Sequence, residues 1–259
     1  MRPEYYNRMS SSNRSVYFLE SNDAVAEVLD FVTILGILML AFSMIALAGY
    51  PILRSAQETR YIENTRQSFV VMADNLNKIA LGQSPSQSVE LKIYSGTLST
   101  SMDSSINITA KNSTGQMITL VDQNMGNIQN SIGDTVVAYE GTGVWVKYPN
   151  GHIFNAYRPL ITNRSNILVI PIVVISGNTS VGGTGIARLK ADGTPGITSF
   201  SNVTNLTMTI SGNYVSGWKD YLGDIMDLDD TPDSKLVGHL NSTKLDVYIL
   251  RTAMYTEIE

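Results

Sequence analysis

Cysteine is absent from the 259 residues, and histidine occurs only as His152 and His239. Without thiolates, a Cys-bearing zinc site, an iron–sulfur cluster, a thiol nucleophile and a disulfide scaffold are excluded or starved of ligands. Charge is scarce too: 16% of residues are charged, and 18 Lys+Arg against 23 Asp+Glu leave a net −5. With a pI near 5.1, the chain has no general electrostatic reason to bind nucleic acid. It also lacks a G-x-S-x-G elbow, a Walker A loop and a G-x-G-x-x-G turn opening a helix. No cofactor is expected, nor any enzymatic activity, since a hydrolase would need convergent acid and base residues that the linear sequence does not display.

What the sequence has instead is one long apolar run. From Phe31 to Leu53 it reads FVTILGILMLAFSMIALAGYPIL, without an ionisable acid or base. At 1.5 Å per residue that is about 34 Å, enough to cross a bilayer and longer than the 7–15-residue core typical of a secretory signal. Three arginines precede the run (Arg2, Arg8, Arg14) and three follow it (Arg54, Arg60, Arg66), so the positive-inside rule does not orient it. The C-terminal side carries seven N-x-[ST] triplets, at Asn107, Asn112, Asn163, Asn178, Asn202, Asn205 and Asn241. Composition alone predicts roughly three, so an external, glycosylatable C-terminal domain is expected. A further triplet at Asn13 would lie inside and stay unmodified.

Beyond the apolar run, Ile62, Phe69, Met72, Leu76 and Ile79 recur on one helical face. The helix is therefore expected to extend over 24–81, about 87 Å if continuous, with Pro51 kinking or locally melting it. Gly82 then stops it, and the polar run at 82–88 reads as a hinge. From Val89 the period falls to two: VELKIY (89–94), INITA (106–110) and KLDVYIL (244–250) read as half-buried strands. VWVKY (144–148) and ILVIPIVVI (167–175) are apolar on both faces and suit interior strands, with Pro171 arguing for an edge or bulge. Asn150-Gly151 marks a hairpin. The glycines of SVGGTGIARL (180–189) indicate a hairpin or bulge, and a short helix is expected around Trp218 to Met226. The fold class is thus α+β: a long N-terminal transmembrane or filament-core helix, then an all-β, sandwich-like domain over 89–259.

The run Asp23-Ala24-Val25-Ala26-Glu27-Val28-Leu29-Asp30-Phe31 resembles the N-terminal segment of archaeal type IV pilin-like proteins, which carry a class III signal peptide. TVVAYEGTGVWVKYPNG (135–151) and NYVSGWKDYL (213–222) resemble the ectodomains of uncharacterised archaeal pilin-like proteins, methanogen ones included. The resemblance implies a cytoplasmic leader at 1–23, removed by a prepilin peptidase between Asp23 and Ala24, with Asn22–Asp23 the second choice. It implies a pilus assembly ATPase and a membrane platform as partners, together with membrane lipid and further copies of the chain. The subunit would begin in the cell membrane and end in a surface filament, major or minor, displaying its β domain for adhesion or envelope contact. The other reading is a single-pass anchored binding module that does not polymerise. Glu27 would be the acid early in the mature helix. An ionised carboxylate at the hydrocarbon edge costs roughly 2.5–3.5 kcal/mol on insertion scales, and pairing it with a neighbour's freed amino terminus would set the stagger between subunits; the other reading is that Glu27 and Asp30 lie in the headgroup region near a helix N-terminus, where acids are favoured. The sequence departs from the family at Asn22-Asp23, where a basic residue is usual; Arg14 is the nearest.

The acidic run at 224–233 (DIMDLDDTPD) lacks the Gly and Glu spacing of an EF-hand and reads as either a calcium loop of another kind or a solvated acidic loop. No metal is assigned. His152 and His239 read as surface residues, and Trp145, Tyr148, Trp218 and Tyr221 as core residues ahead of a sugar-binding face.

Overall fold

The computed structural model describes residues 20–94, 96–177, 179–241 and 244–259. The leader as far as residue 19, Asn13 and Asn178 lie outside them. The elements are α1 (Glu20–Ala80), β1 (Ser86–Ile93), β2 (Thr97–Ser101), β3 (Ser105–Lys111), β4 (Met117–Asn124), β5 (Asn127–Ile132), β6 (Thr135–Glu140), β7 (Gly143–Lys147) and β8 (Ile153–Tyr157). They continue with β9 (Thr162–Arg164), β10 (Ile167–Ser176), β11 (Ser180–Gly182), β12 (Gly185–Ser211), α2 (Val215–Leu222), β13 (Asp227–Leu228), β14 (Lys235–Leu240) and β15 (Leu245–Ile258). Two compact units meet between Ala56 and Gln57.

The helix runs on through Pro51 without melting and ends where the glycine signal lies. Gly82, at φ +73°, takes the left-handed conformation that a side chain resists, and its N–H donates to the Ile79 carbonyl at 3.0 Å. The run expected as a hinge is shorter than 82–88. β1 already begins at Ser86, whose strand pairs with β12 from Ser86↔Asp192 onward.

Among the described residues, fifteen strands form two sheets. The nine-stranded sheet has the order β13-β14-β12-β15-β10-β9, with β1 and β3 also on β12 and β4 on β3. The six-stranded sheet runs β11-β2-β5-β6-β7-β8. The Asn150-Gly151 hairpin joins β7 and β8, with Gly151 at φ +83° and Tyr148 N–H donating to the His152 carbonyl at 2.9 Å. Pro171 sits where β10 pairs with β15 alone, since β9 reaches only Ile167–Val169; its missing N–H is tolerated there. The glycine segment at 180–189 is not a hairpin. β11 pairs with β2 in one sheet and β12 starts against β1 in the other, so the segment is a crossover. α2 lies three residues earlier than expected, and Gly223 closes it with an N–H bond to the Lys219 carbonyl.

Two cores result. In the first, Phe69, Met72, Leu76 and Ile79 of α1 pack with Leu91 and Ile93 of β1, Val137 and Tyr139 of β6, Val144 and Val146 of β7 and Met254 of β15. The helical face read from the sequence is therefore core of the β domain, with helix and both sheets sharing one interior. The second core joins Trp145, α2, β3, β14 and the opposite ends of the long strands. β15 serves both: Leu245, Val247 and Ile249 point into the second core, whereas Met254 and Ile258 point into the first from the opposite parity. Asn77 ties the helix to the β6–β7 turn, donating to the Thr142 carbonyl (3.1 Å) and accepting from Tyr139 Oη (3.0 Å).

Leu76→Ala should lower the unfolding free energy of the full chain in detergent by about 2–5 kcal/mol, because it opens a cavity between helix and sheets. Val71→Ala, at an exposed position of the same helix, should stay within about 0.5 kcal/mol in the same urea titration.

Candidate functional site

Between Val25 and Leu53 the helix exposes 18 large apolar side chains, Leu47 at 78%. Each would gain about 1.5–3 kcal/mol on leaving water, which one helix by itself cannot achieve. Two hydroxyls in this band are satisfied within the helix: Thr33 Oγ1 donates to the Leu29 carbonyl and Ser43 Oγ to the Met39 carbonyl, both at 2.7 Å. The helix is long and apolar enough to cross a membrane, and its backbone and hydroxyl bonding suit hydrocarbon. Glu27 and Asp30 are exposed at its N-terminal end. Asp23 and Ala24 fall within the bounds of α1, their side chains outside the described residues.

The glycosylation candidates divide by exposure. Asn163, Asn202, Asn205 and Asn241 are exposed, Asn107 and Asn112 half-buried. Asn112 holds the β3–β4 turn, its Oδ1 accepting from Thr114 N–H (3.0 Å), Thr114 Oγ1 (2.7 Å) and Gln116 N–H (2.9 Å).

The two ectodomain segments meet inside the second core, around a group that was not singled out from the sequence. Glu140, 1% exposed, accepts from Trp218 Nε1 at 3.0 Å through Oε1, and its backbone carbonyl accepts from Trp145 Nε1 at 3.1 Å. The two indoles lie 4.9 Å apart. Gly141, at φ +57°, permits this approach, since a Cβ there would come within 2.5 Å of the Trp218 ring. Burial pushes the Glu140 carboxyl up to about 7 and Asp103 adds to the rise, while Trp218, Ser104 and Asn127 draw it back down. Glu140 Oε2 and Asn127 Oδ1 are both buried without a hydrogen-bond partner. The only sequence signal was a lone acid inside the apolar run TVVAYEGTGVW.

Trp145, Trp218 and Tyr221 are buried and Tyr148 exposed, so the aromatic set forms core and no continuous sugar face. The acidic run does not converge. Asp224 pairs with Arg158 (2.7 Å), and Asp229 with His239 Nε2 (3.0 Å), whose Nδ1 meets Thr207 Oγ1. Among the described residues no three His, Asp or Glu side chains gather as a metal site.

A model of a family of unknown function, DUF7289, matches residues 24–257, nearly the whole of both the helix and the β domain. The chain belongs to this family. It is also 24% identical to an uncharacterized protein of Archaeoglobus fulgidus, over 74% of this chain and 78% of that one. No solved structure matches. The DUF7289 match embraces Glu27, the apolar band, and both the Glu140 and Trp218 segments, so the family is defined by helix and head together. That architecture is compatible with a membrane-anchored protein bearing a β domain.

The raised Glu140 pKa has a definite sign. The folded state holds the proton between about 4.5 and about 7 and the unfolded chain does not, so stability is full below about 4.5 and falls as pH rises to about 7. The slope is at most about 1.4 kcal/mol per pH unit, levelling off above 7. Glu140→Gln should remove this component: the difference in denaturation midpoint between variant and wild type should grow in the variant's favour from pH 4.5 to pH 7.5. A constant difference would show that Glu140 does not titrate in this window.

Proposed function

We propose that the chain is a structural subunit of a type IV pilus-like surface filament, held by its apolar helix in the membrane as a precursor and then packed by the same helix into the filament. The observation that carries this reading is the exposed apolar band at 25–53 on the helix whose last turns, from Phe69 on, complete the core of the β domain. Lipid and neighbouring copies of the helix offer such a band equivalent surroundings, so transfer between them loses little hydrophobic free energy. The band supplies adhesion between subunits but little register. Register needs a polar contact, and Glu27 at the start of the band is the group to make it, with the amino terminus freed from an adjacent subunit.

Removal of the leader between Asp23 and Ala24 would create that amine. The family match beginning at Ala24 supports a boundary there. A prepilin peptidase, an assembly ATPase and a membrane platform would be supplied by other chains. The β domain would be displayed outside, glycosylated, for adhesion or envelope contact, with no catalytic role.

N-terminal peptide mass spectrometry on membrane and sheared surface fractions tests this. A chain starting at Ala24 in the sheared fraction is expected; an intact N-terminus confined to membranes would leave an anchored module that does not polymerise. Glu27→Gln should insert normally yet enter filaments at least tenfold less, read as the ratio of sheared to membrane protein. An unchanged ratio would rule out the pairing role.

A further inference from the structure

We propose that the β domain carries N-linked glycans gathered at one corner of the nine-stranded sheet, on Asn163, Asn202, Asn205 and Asn241. The proposal rests on the reading above that this domain lies outside the cell. These four acceptors are scattered along the sequence, and strand register brings them together. The ladder of β12 with β15 is irregular between Phe200 and Val203, and its ladder with β3 shifts between Thr204 and Thr207. Across from this break, β14 ends at Leu240, paired with Leu206, and β15 begins at Leu245, paired with Val203. Asn241 and Asn205 therefore each lie one residue beyond the Leu206–Leu240 pair. Asn202 N–H donates to Asp246 Oδ1 (3.0 Å), and Asp246 N–H donates to the Asn166 carbonyl (2.9 Å). Ile167 pairs with both Asp246 and Arg164, and Leu168 with Asn163, which brings the fourth acceptor to the same place.

All four side chains are exposed. Asn202 (φ 55°) and Asn205 (φ 50°) adopt the left-handed conformation in which Asn is enriched, and they interrupt the regular ladder there. Asn107 differs: it sits mid-strand, paired with Asp122 on one side and Thr209 on the other, and is half-buried. A glycan must project from the fold whether it is added before or after folding, so Asn107 is the acceptor least suited to carry one. Asn178 lies outside the described residues and takes no part in the proposal.

The transfer is a substitution on a phosphate-activated sugar brought by a separate transferase. The Asn amide nitrogen forms a bond to the anomeric carbon, the C–O bond to phosphate breaks, the phosphate leaves with the electron pair, and the amide proton passes to a base of the transferase. Sugar confined to this corner leaves other exposed apolar residues of the long strands, such as Ile186 and Tyr255, uncovered for contact with neighbours.

Glycopeptide mass spectrometry on the full chain from its own cells tests the proposal, alongside labelling of intact cells with a membrane-impermeant amine reagent. Expected are sugar masses at the four corner residues, bare Asn107, and labelled lysines in the β domain. Thr204→Val should remove the mass at Asn202 alone, and Asn205→Gly, which keeps the left-handed backbone accessible, the mass at Asn205 alone. Labelled lysines with bare corner peptides, or occupancy at Asn107 equal to that at the corner, would overturn the proposal and leave the filament reading standing. Unlabelled lysines would overturn both.

Discussion

The packing of one face of α1 against both sheets is the interaction on which the rest of the structure depends. Phe69, Met72, Leu76 and Ile79 are buried with side chains from β1, β6, β7 and β15, so the last turns of the helix are part of the head's interior. Thr252 Oγ1 donates to the Ala80 carbonyl at 3.2 Å, and Asn77 is bonded to the β6–β7 turn, so even the polar groups at the helix end are matched to the sheets.

The first and second cores use the same long strands from opposite faces. Along β15 the buried positions change from odd to even around Leu250 and Arg251, and along β10 they change between Ile172 and Val173. A strand that alternates cleanly has one inside; these have two. The second core is also where the fold tolerates its least comfortable group, the Glu140 carboxyl. Trp218 and the close approach at Gly141 hold that carboxyl in place, and burial favours its neutral form. Segments 135–151 and 213–222, separated by more than sixty residues, thereby share one contact.

Much of this was legible in advance. The apolar run, the buried helical face, the glycine stop, the Asn150-Gly151 hairpin and the strands β1, β3, β7 and β10 follow from spacing and turn chemistry, which are local properties. The hairpin reading at 180–189 failed because glycines mark a chain reversal without saying which sheet receives the next strand. β12 was unreadable as one 27-residue strand, since Gly193, Pro195 and Gly196 resemble a break, and only pairing with β15 keeps that stretch extended. The alternation that marks β15 in the sequence ends at residue 250, where the parity change interrupts it.

The sequence by itself determined that an apolar helix precedes a β domain, because hydrophobic length and period are carried by neighbouring residues. It also determined which asparagines are chemically able to accept sugar. Only the tertiary structure decided that the helix's last turns are core, that a lone acid in an apolar run becomes a buried carboxyl beside two tryptophans, and that four distant acceptors share a corner. Those outcomes depend on register between strands far apart in the chain, and register is set by how two faces close on a common interior, which no local window contains.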